Sequence, residues 1–249
     1  MTDAKEFGED PPSASVWDRF DFIGVAGYIP NRDRERKLRR RLARVGCTRA
    51  QWHYEFPNPF TPLLARSLNL GAGLGGGVGP LSCTMNHYYN LKVAQGFGCR
   101  NAVLMEDDVC FLKDAKVFGE VLTSIPDDAD VALFDWFRGM ATTDEDLERL
   151  RSRPRVNGHW AEANDLTLVS LGMAYFSREG IDWLAGNLER GASRLNKMRA
   201  TDTFFRPRFS GGVKIYAAFP HAAIQGDVEH GMHATSKRYG IDVDKGNYE

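Results

Sequence analysis

The sequence has no run of about 18 apolar residues, so no segment reads as a membrane-spanning helix, and at most peripheral membrane contact is expected. Its opening residues, Met1-Thr2-Asp3-Ala4-Lys5, are polar and partly acidic, which argues against a signal peptide. It lacks an excess of either charge: 32 Lys and Arg stand against 33 Asp and Glu. Without a global basic field, nucleic acid is not the expected partner. It also lacks any C-x-x-C pair. Cys47, Cys83, Cys99 and Cys110 are irregularly spaced, which suits reduced thiols in a cytosolic protein better than a disulfide framework or a zinc site. Finally, it has no acid between Glu55 and Glu106, a stretch that still carries Arg66, Lys92 and Arg100.

What is present is ordinary globular material. Of 249 residues, 43% are hydrophobic and 26% charged, which excludes collagen-like, coiled-coil and wholly disordered chains. One large domain is the simplest organisation at this length. Residues 1–18, with Pro11 and Pro12, read as a flexible N-terminal arm, 19–236 as the single domain, and 237–249 as a polar C-terminal tail.

Periodicity sketches the elements. Phe20 to Ala26 is a short apolar strand. Asn31 is placed to cap a helix with Asp33 and Glu35 in its first turn, in which Leu38, Leu42 and Val45 stack before Gly46. That helix carries eight basic residues between Arg32 and Arg44. A solvated face explains most of them, and Arg32 and Arg34, at the strand-to-helix turn, are placed to approach a phosphate. Gln51 to Phe56 alternates as a half-buried strand. Residues 71–79 hold six glycines and match the dinucleotide fingerprint only formally, since no strand precedes and no acid follows at the expected offset; they read as a mobile loop, a possible lid. Pro80 opens a helix with an apolar stripe of Leu81, Met85, Tyr88 and Leu91. A second stripe of Cys83, Asn86, His87 and Asn90 lies on roughly the opposite side. Strands follow at Val131–Phe134, Met173–Phe176 and Val213–Phe219, with a helix after Ser177 whose stripe is Ile181, Leu184 and Leu188. Residues 57–79 and 139–165 read as loops without periodic constraint. Strands alternating with helices predict an α/β fold with a mainly parallel central sheet flanked by helices.

The chemistry concentrates at Ala102-Val103-Leu104-Met105 followed by Glu106-Asp107-Asp108. Acids at the carboxyl end of an apolar strand sit where open α/β sheets bind ligands. Clustered carboxylates repel one another unless neutralised, and a hard divalent ion sharing its shell with a diphosphate is the natural partner. An acidic turn of no function is the alternative. Carboxylates turned away from any cavity, or tied up in buried pairs with arginines, would count against the metal reading.

The chain resembles glycosyltransferase family 25, the lipooligosaccharide and collagen galactosyltransferase group, in four blocks that follow the family's order. They are Ile29-Pro30-Asn31-Arg32-Asp33-Arg34, Gly79-Pro80-Leu81-Ser82-Cys83-Thr84-Met85-Asn86-His87, Leu104-Met105-Glu106-Asp107-Asp108-Val109 and Gly172-Met173-Ala174-Tyr175-Phe176-Ser177-Arg178-Glu179-Gly180. A weaker echo covers Thr201-Asp202-Thr203-Phe204-Phe205 and the segment Ile215–Gln225. The chain departs from the family in Ser82 and Asn86, which stand for the usual Gly and Ser, in a shortened arginine element, and in the extra glycine loop.

The resemblance implies a glycosyltransferase-A-like fold, a UDP-sugar donor, Mn²⁺ or Mg²⁺, and inversion at the anomeric carbon. Such transfer needs a base for the acceptor hydroxyl proton and a Lewis acid for the departing diphosphate. On this reading Asp108 is the principal metal ligand, and Glu106 and Asp107 support it or contact the ribose. His87, Arg32 and Arg34 approach the nucleotide. His230, or another histidine or Asp227 of the histidine-bearing run 221–233, completes the metal shell, with a polar loop of incidental histidines as the alternative. Asp202 is the expected general base, with a helix-capping role as its alternative and Asp135 and Asp165 as rivals. The expected reaction moves a hexose, galactose by the resemblance, to an oligosaccharide or glycolipid acceptor in lipopolysaccharide-type surface-glycan synthesis. The expected location is the cytoplasm, including the inner face of the membrane. A non-catalytic nucleotide- or glycan-binding relative is the alternative, and a metal phosphohydrolase ranks last.

Overall fold

Alternating side chains along the strands divide two apolar layers, one on each face of a single sheet. The computed structural model describes residues 15–27, 32–53, 78–138, 143–169, 171–193, 211–225 and 248. In chain order the main elements are β1 (Phe22–Ala26), α1 (Arg32–Arg44), β2 (Gln51–His53), α2 (Val78–Gly96), β3 (Asn101–Glu106), β4 (Val109–Phe111) and α3 (Ala115–Thr123). There follow β5 (Val131–Leu133), β6 (Phe137–Arg138), α4 (Asp144–Ser152), β7 (Trp160–Glu162), β8 (Leu168–Val169) and β9 (Met173–Ser177). The last are α5 (Arg178–Ser193), β10 (Ile215–Ala218) and β11 (Ala223–Gln225).

The main sheet has the order β2-β1-β3-β9-β5-β10-β7. Phe22, Leu104, Leu133, Phe176 and Ile215 point to one face, where Leu91 and Ala94 of α2, Leu147 and Leu150 of α4, and Ile181, Leu184 and Leu188 of α5 cover them. Ile23, Val25, Val103, Met105 and Phe134 point to the other, against Leu38 and Leu42 of α1 and Phe118 and Leu122 of α3. Both faces being buried, β1 and β3 are apolar at every inner position instead of alternating with polar residues.

Local chemistry explains the helix ends. α1 and α2 both stop at a glycine with positive φ, Gly46 at 76° and Gly98 at 67°. Beyond each, an N–H turns back to the helix, Cys47 to the Leu42 carbonyl at 2.8 Å and Cys99 to that of Ala94 at 3.0 Å. Ser177 caps α5, its Oγ accepting from the Gly180 N–H at 3.2 Å.

Three sequence expectations need correction. The sheet is mixed: β1, β2 and β3 are mutually parallel, as are β5 and β10, but β9 runs antiparallel between β3 and β5, and β7 antiparallel at the edge. The chain re-enters at the end of the sheet where β5 finishes, so β9 must run back against its neighbours. Residues 139–165 are not a plain loop, since α4 and β7 lie there. α4 has a capping box between Thr143 and Asp146 but inserts only Leu147 and Leu150 into the core, too short a stripe to register as periodic. Trp17, placed in the expected N-terminal arm, is part of the core, while residues 1–14 lie outside the described residues. Val16–Arg19 is a 3₁₀ turn that buries Trp17, whose indole N–H donates to the Val45 carbonyl at 2.8 Å.

From the expected C-terminal tail, Tyr248 bridges to Leu112 and donates its hydroxyl to the His221 carbonyl at 2.9 Å. Most of the glycine loop lies outside the described residues, and Val78 and Gly79 belong to α2. Among the described residues, no helix is long and apolar enough to cross a membrane.

Candidate functional site

β3 delivers Glu106-Asp107-Asp108 to the carboxyl end of the sheet, where the chain turns into β4. β4 pairs with β11, joining Val109 to Gln225 and Phe111 to Ala223. The end of β5 supplies Asp135, and the entry to β9 supplies Gly172, whose carbonyl accepts from the Glu106 N–H at 2.8 Å. A Cβ on Gly172 would lie 1.9 Å from Asp135 Oδ2 and 2.5 Å from Gln225 Cγ, so only glycine lets these strand ends converge. Ends of one sheet thus gather at one place, as open α/β sheets do for their ligands.

Two helices approach this edge from opposite faces and divide the acids. Arg34, in the first turn of α1, places Nη1 at 3.1 Å from Asp107 Oδ1 and Nη2 at 3.9 Å from Asp108 Oδ2. Cys83 and His87, one turn apart on α2, reach the other way. Cys83 Sγ lies 3.3 Å and His87 Nε2 3.6 Å from Glu106 Oε1.

Asp108 is 8% exposed, and its Oδ1 has no hydrogen-bond partner among the described residues. Burial, and then repulsion from Glu106, raise its carboxyl to about 7, with Arg34 pulling the other way. An acid in that state has a vacant acceptor and a charge that an added cation would neutralise. The donor chemistry therefore fits a divalent ion at Asp108 Oδ1.

The amide stripe of α2 points inward. Asn86 and Asn90 are buried with His87, and Asn86 Nδ2 donates to the Gly27 carbonyl at 3.4 Å. Asn90 leans so closely on β1 that a Cβ on Gly24 would sit 2.7 Å from its Oδ1. The stripe expected on the side away from the apolar one therefore faces the sheet together with Leu91.

The expected site residues divide as follows. Arg34, His87, Glu106, Asp107 and Asp108 are brought together. Arg32 is exposed at the start of α1. Asp202 and His230 lie outside the described residues. Of the rival bases, Asp135 is fully buried at the same sheet edge. Asp165 lies on the surface, paired with Arg149 at 3.2 Å and Arg153 at 2.6 Å. Burial pushes Asp165 upward, but Arg153 and Arg149 together outweigh it and hold the carboxyl below the usual range. His221, of the histidine run, is committed to structure: its ring stacks on Trp136 with centroids 4.3 Å apart and its Nε2 meets the Trp136 carbonyl at 2.7 Å. The sequence pattern places Cys83 in a polar stripe without a ligand role, and its i, i+4 spacing from His87 is the one signal of the contact both make with Glu106.

Asp107 meets in part the condition that counted against the metal reading, since its carboxylate is in a nearly buried pair with an arginine. Asp108 shares the same arginine through Oδ2 at 3.9 Å, and only its Oδ1 stays outside the pair. Comparison with protein-family models and with curated protein sequences found no match.

Proposed function

We propose that this chain is a metal-assisted inverting glycosyltransferase of glycosyltransferase-A-like fold. It would move a hexose, galactose by resemblance, from a UDP-sugar to an oligosaccharide or glycolipid acceptor, acting in the cytoplasm or at the inner face of the membrane. The observation that carries the proposal is the buried vacant acceptor of Asp108, in an acid turn at the carboxyl end of a central strand, within reach of Arg34. The covered α/β sheet and the ordered resemblance of four sequence blocks support it.

Asp108 would hold Mn²⁺ or Mg²⁺, which supplies Lewis-acid stabilisation of the departing diphosphate. The chain's own groups do the rest. Arg34 swings from Asp107 toward phosphate oxygens, a guanidinium being suited to either anion. A carboxylate takes the acceptor hydroxyl proton, with Asp202 as the first choice and Asp135 as the one at the sheet edge.

Calorimetric titration with UDP, with and without Mn²⁺, tests this. UDP binding that needs the metal is expected; absent or metal-independent binding overturns it. The Arg34–Asp107 pair favours a second reading, a non-catalytic nucleotide- or glycan-binding relative whose acids serve the fold. That reading requires UDP binding with neither slow UDP-sugar hydrolysis nor transfer to any glycan.

A further inference from the structure

The Cys83–His87–Glu106 cluster differs in kind from the acid turn. Its three donor atoms, one sulfur, one nitrogen and one oxygen, all lie within 4.8 Å of one another. Sulfur and carboxylate are 3.3 Å apart, imidazole and carboxylate 3.6 Å. Metal–ligand bonds of about 2.0–2.3 Å at tetrahedral angles put neighbouring donors roughly 3.4–3.6 Å apart, so both contacts to Glu106 are close to coordination spacing and the sulfur-to-nitrogen separation, within 4.8 Å, completes the triangle.

A second observation points to a ligand independently. His87 is fully buried, yet neither ring nitrogen has a hydrogen-bond partner among the described residues. An imidazole buried in that state has given up water at both nitrogens without replacement. Its Nε2 faces the Cys83–Glu106 contact, where a cation would use its lone pair. The backbone fixes this arrangement: Cys83 and His87 share one face of α2 because they are a turn apart, and Glu106 is held by its N–H bond to Gly172.

We infer that Cys83, His87 and Glu106 form a binding site for a thiophilic divalent cation, with Zn²⁺ as its natural occupant. Sulfur and imidazole together select zinc or cobalt over manganese and magnesium, which favour oxygen-only shells. Three protein donors leave one tetrahedral position for water or a ligand oxygen, the pattern of a zinc ion that acts on a ligand. Binding sends the Cys83 thiol proton to solvent and leaves a thiolate on the metal. The spacing of the four cysteines gave no hint of zinc, because two of the three donors are not cysteines. The inference does not rest on the transferase reading. Glu106 serves the thiolate site, while Asp108 carries the oxygen-only site of that reading.

The test uses the full chain, stripped of metal under reducing conditions and kept free of nucleotide. Co²⁺ is titrated as a spectroscopic probe, and Zn²⁺ against a fluorescent chelator. One thiolate-bound equivalent should appear as a near-ultraviolet sulfur-to-cobalt charge-transfer band, which Zn²⁺ removes and Mn²⁺ at equal concentration does not. Cys83→Ser should abolish the band, Glu106→Gln should weaken zinc binding roughly 10-fold or more, and Cys110→Ser should change neither. Zn²⁺ should also slow alkylation of Cys83 in the unmutated protein, a readout independent of how any variant folds. No cobalt band, a band that survives Cys83→Ser, a band displaced by Mn²⁺ at equal concentration, or no protection of Cys83 overturns the inference. Because nucleotide is absent, none of these outcomes bears on the UDP titration that judges the transferase reading.

Discussion

Arg34 holds Asp107 at 3.1 Å and stands 3.9 Å from Asp108, so one guanidinium spans two adjacent acids of the turn after β3. The side chains of Arg34 and Asp107 are 14% and 8% exposed. Removing the cation leaves a largely desolvated carboxylate without its partner, and breaking a buried pair in that way costs about 3 kcal/mol. Arg34→Ala should lower stability by that order in urea unfolding. The proposed function adds a second effect: UDP affinity in the presence of Mn²⁺ should fall roughly 10-fold, as expected for loss of a charged hydrogen bond worth about 1.4 kcal/mol. A loss of stability with unchanged UDP affinity would assign Arg34 to the fold alone.

Asp108→Asn separates the site from the scaffold in the opposite direction. Burial raises the carboxyl of Asp108 to about 7, which means the folded state resists its charge. A group whose folded value lies above its unfolded value loses stability as pH rises through that range, and asparagine removes the effect. The variant should therefore keep or raise the urea midpoint near neutral pH. It should also abolish the gain in UDP affinity from Mn²⁺, by roughly 10-fold or more. A variant that unfolds more easily and still shows the metal effect would remove Asp108 from the cation.

The boundary between what could and could not be read in the sequence follows physical range. β1, α1, α2, β3, β9 and α5 were legible because their apolar spacing follows the sheet or helix period and because Gly46 marks the end of α1 and Ser177 the start of α5. The direction of β9 was not, because strand polarity depends on where the chain re-enters the sheet, and no residue within Met173–Ser177 encodes that. The acid turn announced itself locally. Its division did not, since Arg34 lies 73 positions from Asp107 and Cys83 lies 23 from Glu106. Gly172 appeared only as part of a motif, and the reason for glycine there is visible once Asp135 and Gln225 are seen to meet it.

That last contact makes a sharp prediction. A methyl group at residue 172 would stand 1.9 Å from Asp135 Oδ2 and 2.5 Å from Gln225 Cγ, inside any real contact distance. Gly172→Ala must push apart the ends of β5, β9 and β11, and overpacking of this kind costs about 3 kcal/mol. Because the Gly172 carbonyl also holds the Glu106 N–H, the displacement should reach the Cys83–His87–Glu106 cluster. Thermal unfolding should show a lower midpoint for Gly172→Ala, and cobalt titration a weaker band. A midpoint equal to that of the unmutated protein would mean that the three strand ends do not converge.

His221 gives the fold a pH dependence of known sign. Its ring is buried against Trp136, and burial lowers its pKa from 6.5 to about 4. The unfolded chain therefore binds a proton that the folded chain refuses throughout that interval. Stability is fully present above about pH 6.5 and declines as pH falls toward 4. Between about pH 7 and about pH 5 the imidazole should account for about 2 kcal/mol of lost stability, within a full effect on the order of 3 kcal/mol. His221→Phe preserves a ring on Trp136 but cannot take a proton. It gives up the hydrogen bond to the Trp136 carbonyl, so it should start less stable by about 1 kcal/mol. Urea unfolding of both proteins across this pH range should then give curves that converge or cross on acidification, since the unmutated protein alone carries the imidazole's share of the decline. Parallel curves would show that the ring is protonated in the folded state or reached by water, and the packing of His221 on Trp136 would have to be abandoned.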